Sequence, residues 1–187
     1  GYTDEEYKRI PEFCKVFEDA DELLKRNLSE ICFANDQEAL NLPTNMIPAI
    51  YVSSIAAYAA ITSKGIKANS MLGFSLGEWS ALTAAGVVSF REGVSIVQFR
   101  SEAMERSSPV GGGMGVILGK SNDFVEDFCR RVPEGIVYPA NYNYEGQVTV
   151  SGDEKGLFSI QKLAEEENVV FKKLNVHVPS HCKFMES

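Results

Sequence analysis

The pattern of hydrophobic and polar positions changes once along this chain, at the break Ser107-Ser108-Pro109-Val110-Gly111-Gly112-Gly113. Before it, apolar residues fall in helical segments. Thr3 followed by Glu6 has capping-box spacing, which predicts a helix from about Asp4 towards Lys25, with Pro11 as a kink or break. A loop over 35–44 leads to the most apolar stretch, Asn45–Thr62, which approaches membrane-spanning length. It carries Pro48, two serines, two tyrosines and a threonine, and reads as a buried helix. An extended run, Lys-Ala-Asn-Ser-Met-Leu, leads into Gly73, and a helix follows from Glu78 to Ala85. Ser89 and Glu92 form a second capping box, opening a helix from about Phe90 to Arg106.

Beyond the break, short apolar runs alternate with amphipathic ones. Met114–Gly119 reads as a strand, Ser121–Val132 as a helix, Gly135–Asn143 and Gln147–Gly152 as strands around Tyr144-Glu145-Gly146, Glu154–Asn168 as a helix and Val169–Val178 as a strand. The order β-α-β-β-α-β is ferredoxin-like. The expected fold is α/β: a body over 1–109 and 177–187 carrying an inserted ferredoxin-like subdomain over 110–176.

Composition narrows the partners. At 187 residues and 44% hydrophobic, the chain can bury a substantial core. Its net charge is −8 and its basic residues are scattered, which argues against nucleic acid or an anionic membrane as partner. Four cysteines without a Cys-x-x-Cys pair, beside two histidines, point to a reduced, cytoplasmic protein without a metal site. The opening Gly-Tyr-Thr-Asp has neither an initiator methionine nor an apolar signal core, so it reads as a processing boundary with no targeting segment.

Candidate chemistry starts at Gly73-Phe74-Ser75-Leu76-Gly77, where an extended run meets a helix. Strand, glycine-flanked serine, helix is the setting of a nucleophile elbow, and the following helix N-terminus would aim N–H groups at an oxyanion, Leu76 N–H first. A structural turn containing serine has the same pattern. A serine nucleophile needs a base, and only His177 and His181 are available. On the Phe90 helix, Val94, Val97 and Met104 form an apolar stripe with Arg100 inside it. A partly buried guanidinium there either snorkels to solvent or takes an anion, an internal carboxylate or that of a ligand.

Taken together, Gly73–Glu78, Arg100 at its spacing after the serine, Ala140–Gly152 and Val176–Met185 resemble the malonyl-CoA:acyl carrier protein transacylase family and the acyltransferase domains of fatty acid and polyketide synthases. The matching stretches cover nearly the whole chain in order. The resemblance implies a hydrolase-like parallel-sheet body. It also implies ping-pong transfer of a malonyl group from malonyl-CoA to the phosphopantetheine thiol of acyl carrier protein, with no permanently bound cofactor. Ser75 would be the nucleophile, His181 the base, Arg100 the carboxylate clamp, Leu76 N–H half of the oxyanion hole, and Asn143 a lining residue; Glu78 reads as a first-turn helix carboxylate. Val178-Pro179-Ser180 before His181 favours malonyl over methylmalonyl. Carrier protein in such systems is acidic, which makes Lys172, Lys173 and Lys183 candidates for a docking patch.

Three departures accompany the resemblance. Phe74 stands where the family usually has histidine. The family's opening strand and loop, whose glutamine N–H completes the oxyanion hole, precede this chain's first residue. The segment that orients the histidine follows Ser187. The expectation is an incomplete sheet, half an oxyanion hole, and activity that depends on the missing pieces. A serine acyl hydrolase and a non-catalytic carrier-docking module are the competing functions.

Overall fold

A computed structural model describes residues 9–34 and 36–186, so the capping box at Thr3 and Glu6 lies outside the described residues. The chain forms two compact units, residues 1–102 and 103–187.

Among the described residues of the first unit every regular element is a helix: α1 (Pro11–Leu24), α2 (Leu28–Phe33), α3 (Gln37–Asn41), α4 (Pro43–Thr62), α5 (Gly77–Ala84) and the greater part of α6 (Phe90–Ser107). Pro11 marks the break expected there: Arg9 and Ile10 before it are not helical, and α1 starts at Pro11. It occupies the first helical turn, where its fixed φ suits the helix and its missing N–H would have had no partner. Helix α2 occupies a stretch that sequence pattern left unassigned, and α3 replaces part of the loop expected over 35–44; Asp36 caps α3, its carboxylate accepting from Ala39 N–H at 3.0 Å. Helix α4 is long and apolar enough to cross a membrane, but it packs Ile47, Ala49, Val52, Ile55 and Ala56 inside the unit, with α1 contributing Phe13, Phe17 and Ala20 to the same core.

Tyr51 on α4 is fully buried and touches both helices that follow. Its hydroxyl shares a hydrogen bond of 2.9 Å with Thr83 on α5. Its ring stacks with Phe90 at the start of α6, centroids 6.0 Å apart. Gly93 on α6 lies so close to the phenol that a Cβ there would collide with the hydroxyl oxygen and ring carbon. Helix α6 begins with the capping box foreseen: Ser89 N–H donates to the Glu92 carboxylate at 2.9 Å and Glu92 N–H to the Ser89 hydroxyl at 3.3 Å.

The second unit holds a four-stranded antiparallel sheet in the order β2-β3-β1-β4, built from β1 (Gly113–Leu118), β2 (Val137–Tyr144), β3 (Gln147–Gly152) and β4 (Val170–Lys173). Helices α7 (Asn122–Arg130) and α8 (Glu154–Glu166) follow β1 and β3. Ser121 caps α7 by accepting from Phe124 N–H. Asp153 caps α8 from Gly156 N–H at 2.7 Å and also accepts from Ile136 N–H, fastening the start of β2. Glu145-Gly146 closes the β2–β3 hairpin, with Gly146 at φ 91°. The helices press on one face of the sheet, where Val148 and Val150 of β3 meet Ile117, Val125, Phe128 and Ile160. Strand β4 is shorter than its apolar run. It pairs with β1 only from Gly115 to Leu118 and ends at Lys173, so His177 lies beyond it in a bent segment rather than at a strand end.

Gly93→Ala is expected to destabilise the protein by about 1–3 kcal/mol through overpacking against Tyr51. Tyr51→Phe removes the colliding oxygen, so the double variant should lose less than the sum of the single losses in chemical denaturation; additive losses would show that the phenol is not the obstacle.

Candidate functional site

Residues 66–73, where an extended run was expected, are irregular with a bend at Asn69 and are not a strand: no ladder partner exists for them among the described residues, and backbone becomes sheet only by pairing. The parallel sheet expected of the body therefore has no strand among the described residues of the first unit. Leu72 is 92% exposed and Phe74 70% exposed, so the residue preceding the serine presents its ring to solvent.

The chain turns tightly at Ser75. Gly77, Glu78 and Trp79 N–H groups donate to the carbonyls of Phe74, Ser75 and Leu76 at 2.9–3.1 Å, so the chain coils directly from serine into α5. The Leu76 N–H is not a donor in that turn. Glu78 lies in the first turn, where a carboxylate complements the helix dipole.

The left-handed conformation falls on Ser75 itself, at φ 51°, and not on either glycine. Gly73 is required for another reason: a Cβ there would run into the backbone of Gly77 and Glu78, which no side-chain adjustment relieves. Gly77 has open space around it. Among the described residues, four that are not glycine have positive φ: Lys25, Asn168, Ser75 and His181. Lys25 is the left-handed cap of α1, and Asn168 follows the end of α8 and is a residue type that tolerates this region. Ser75 and His181 close no helix, which marks them as constrained for another purpose.

Two arginines of the first unit are partly buried, and they differ. Arg26 donates to the Thr44 carbonyl and to Gln98 Oε1 at 2.8 Å, joining the start of α4 to α6, and Glu102 offsets part of its desolvation. Nothing in the spacing signalled this structural role. Arg100 sits half-buried among Val94, Val97 and Ser101, as its place in the stripe implies, although buried Ser101 rather than Met104 continues the stripe. Burial alone pulls the Arg100 guanidinium below its ordinary value, and no carboxylate pairs with it among the described residues.

His181 and Asn143 belong to the second unit. His181 is exposed, at φ 58°, on a segment whose neighbours are tied down: the Ser180 carbonyl accepts from Ser151 at 2.6 Å and the Pro179 carbonyl from the Cys182 thiol at 3.0 Å. His177, also exposed, borders a shallow cleft of about 490 Å³ with Lys173, Asn175 and Glu154. The Asn143 amide donates to Gln147 and Thr149 across the hairpin, at 3.2 and 3.1 Å, leaving its oxygen as the group it can offer elsewhere. Lys172 and Lys173 are exposed on β4, and Lys183 lies over the Tyr138 ring at 6.0 Å. The structure thus carries Ser75 and Leu76, just ahead of α5, and Arg100, on α6, in one unit where Tyr51 anchors both helices, and His181 and Asn143 in the other.

Residues 5–187 match the family model for the acyl transferase domain. The chain is 36% identical over 190 residues to malonyl CoA-acyl carrier protein transacylase of Bacillus subtilis strain 168, an alignment covering 100% of this chain and 60% of that protein. Among solved structures, FabD from Acinetobacter baumannii superposes with a TM-score of 0.87 at 32% identity, covering 96% of this chain and 58% of the other. A malonyl-transacylase in complex with its type II PKS acyl-carrier protein superposes with a TM-score of 0.88 at 32% identity, covering 96% and 60%. The chain therefore spans about 60% of the length of its relatives.

Substituting the two glycines should separate their roles. Gly73→Ala is expected to lower the unfolding midpoint through backbone collision, whereas Gly77→Ala, in the first turn of α5, should be neutral or stabilising by up to about 1 kcal/mol. Equal losses in thermal unfolding would contradict this division.

Proposed function

Because the chain belongs to the acyl transferase domain family, we propose that the protein moves a malonyl group from malonyl-CoA to the phosphopantetheine thiol of acyl carrier protein. Ser75 Oγ attacks the thioester carbonyl while His181 takes its proton. The carbonyl oxygen becomes an oxyanion held by Leu76 N–H, and its collapse breaks the C–S bond, the departing CoA thiolate recovering the proton from His181. In the second half His181 takes the proton of the carrier thiol, the thiolate attacks the malonyl-serine ester, and Ser75 leaves with the proton returned to it. Arg100 grips the malonyl carboxylate through both halves.

The observation that carries this reading is the half-buried Arg100 guanidinium with no carboxylate beside it among the described residues. A cation desolvated without an internal anion is poised for one on a ligand, and it would penalise an uncharged acyl chain. That asymmetry separates the reading from a hydrolase of simple esters. The left-handed backbone at Ser75 supports the nucleophile assignment. Asn143 enters as a lining residue through its remaining oxygen.

The reading extends to architecture and partners. Residues 110–176 form a ferredoxin-like subdomain, supported by the β-α-β-β-α-β order and the strand order β2-β3-β1-β4. Residues 1–109 and 177–187 belong to a hydrolase-like body, with 66–73 as one strand of a parallel sheet that needs further chain to pair it. The relative solved in complex with its acyl-carrier protein supports the choice of acceptor, and exposed Lys172, Lys173 and Lys183 offer positive charge to it. The enzyme acts in the cytoplasm on malonyl-CoA for fatty acid or polyketide synthesis, without a resident cofactor.

Intact mass spectrometry of the full-length protein after brief exposure to malonyl-CoA or acetyl-CoA tests this. A malonyl adduct is expected, absent in Ser75→Ala. In Arg100→Ala, malonyl loading should slow roughly 100-fold, equivalent to about 2.7 kcal/mol, with acetyl loading unchanged or faster. Malonyl-CoA hydrolysis that outpaces transfer to carrier protein, or equal losses for both donors in Arg100→Ala, would overturn it.

A further inference from the structure

Strand β3 carries buried residues on both faces, and only one face meets the helices. Val148 and Val150 belong to the apolar core with α7 and α8. By the period-two alternation of a strand, Thr149 and Ser151 point the other way, yet they are 7% and 0% exposed. A buried serine on a helix-free face needs both a cover and a partner. The segment leading to His181 supplies both: the Ser151 hydroxyl donates to the Ser180 carbonyl at 2.6 Å.

The same face holds the segment again just after the histidine. Tyr138 on β2 is the register partner of Ser151, so the two side chains are neighbours on one side of the sheet. Phe184 meets the Tyr138 ring edge-on, with centroids 6.0 Å apart and planes at 72°. Before the histidine, Val178 is buried, and Ser180 N–H donates to the Val178 carbonyl at 3.0 Å. The approach is close enough that a Cβ at Gly113 would stand 2.7 Å from the Val176 carbonyl oxygen. His181 is therefore bracketed, by a hydrogen bond to the residue before it and an aromatic contact three residues after it. Between these two contacts the His181 backbone takes φ 58°.

We infer that the helix-free face of the antiparallel sheet is the seat of the histidine segment, and that Ser151, assisted by Tyr138, is a positioning residue that sets the placement of the His181 imidazole. This rests on the reading of His181 as the base. Ser151 touches no substrate in this account; its effect passes through the Ser180 peptide alone. A hydrogen bond to a carbonyl restrains the adjoining peptide plane, and general-base catalysis loses rate steeply with misplacement of the base.

The test is a mutant cycle in the full-length protein with three readouts: the rate constant of malonyl-enzyme formation, KM for malonyl-CoA, and the unfolding midpoint. Ser151→Ala should slow acylation about tenfold with KM within twofold. In a His181→Ala background it should slow acylation no further, because the group it positions is gone. A purely structural role would lower the midpoint and multiply with His181→Ala. Tyr138→Leu, on the partly exposed flank of the same face, makes the same comparison should Ser151→Ala fail to fold. Wild-type acylation in both Ser151→Ala and Tyr138→Leu beside an inactive His181→Ala would overturn this inference alone, as would multiplying effects. Wild-type acylation in His181→Ala would overturn the assignment of the base itself, and this inference with it.

Discussion

The Tyr51 phenol is the constraint that the first unit is built around. A fully buried tyrosine must find a partner for its hydroxyl, and Thr83 provides it from α5, the helix that starts at the candidate nucleophile. The same ring stacks on Phe90 and fits against Gly93, which fixes α6 and with it Arg100. Helix α5 has no fully buried residue of its own. Its attachment through Thr83 therefore matters more than its short apolar sequence suggests, and one α4 side chain constrains the elements carrying serine and guanidinium.

Sequence pattern was informative where local chemistry decides structure. Ser89 and Glu92 announced the start of α6, and the break at Gly111–Gly113 announced the change to strands. The four strands and the two helices between them followed from short apolar runs and turn residues, because each is marked locally by its own periodicity, cap or turn, even though only β2 and β3 pair as chain neighbours. Legibility failed where structure depends on distant partners. Residues 66–73 look like a strand, but a strand exists only with a neighbour. The end of β4 was misplaced because the apolar run continues after pairing with β1 has stopped.

The candidate site was legible as residue types and not as geometry. A glycine pair around Ser75 permits both unusual φ values and close backbone approach; Gly73 answers the second, the positive φ falls on Ser75 instead, and Gly77 answers neither. Arg100 could be found because it interrupts an apolar stripe. Arg26, equally concerned with burial, could not, since its partners Thr44 and Gln98 are brought to it only by folding. Ser151 was hidden for a related reason: within Gln-Val-Thr-Val-Ser-Gly it reads as the solvent side of a strand, and only the covering segment makes it interior.

The two edges of the antiparallel sheet have a consequence for association. Strand β4 is four residues long and carries Lys172 and Lys173. At the opposite edge β2 contains Pro139, which has no N–H to offer, and its register with β3 is irregular between Pro139 and Asn141 and between Tyr142 and Tyr144. Neither margin presents a long, flat row of unpaired amides. Such edges resist templating of a further strand, so the sheet is guarded against edge-to-edge polymerisation. A protein that docks on this unit is left to recognise it through side chains and charge, and not by extending its sheet.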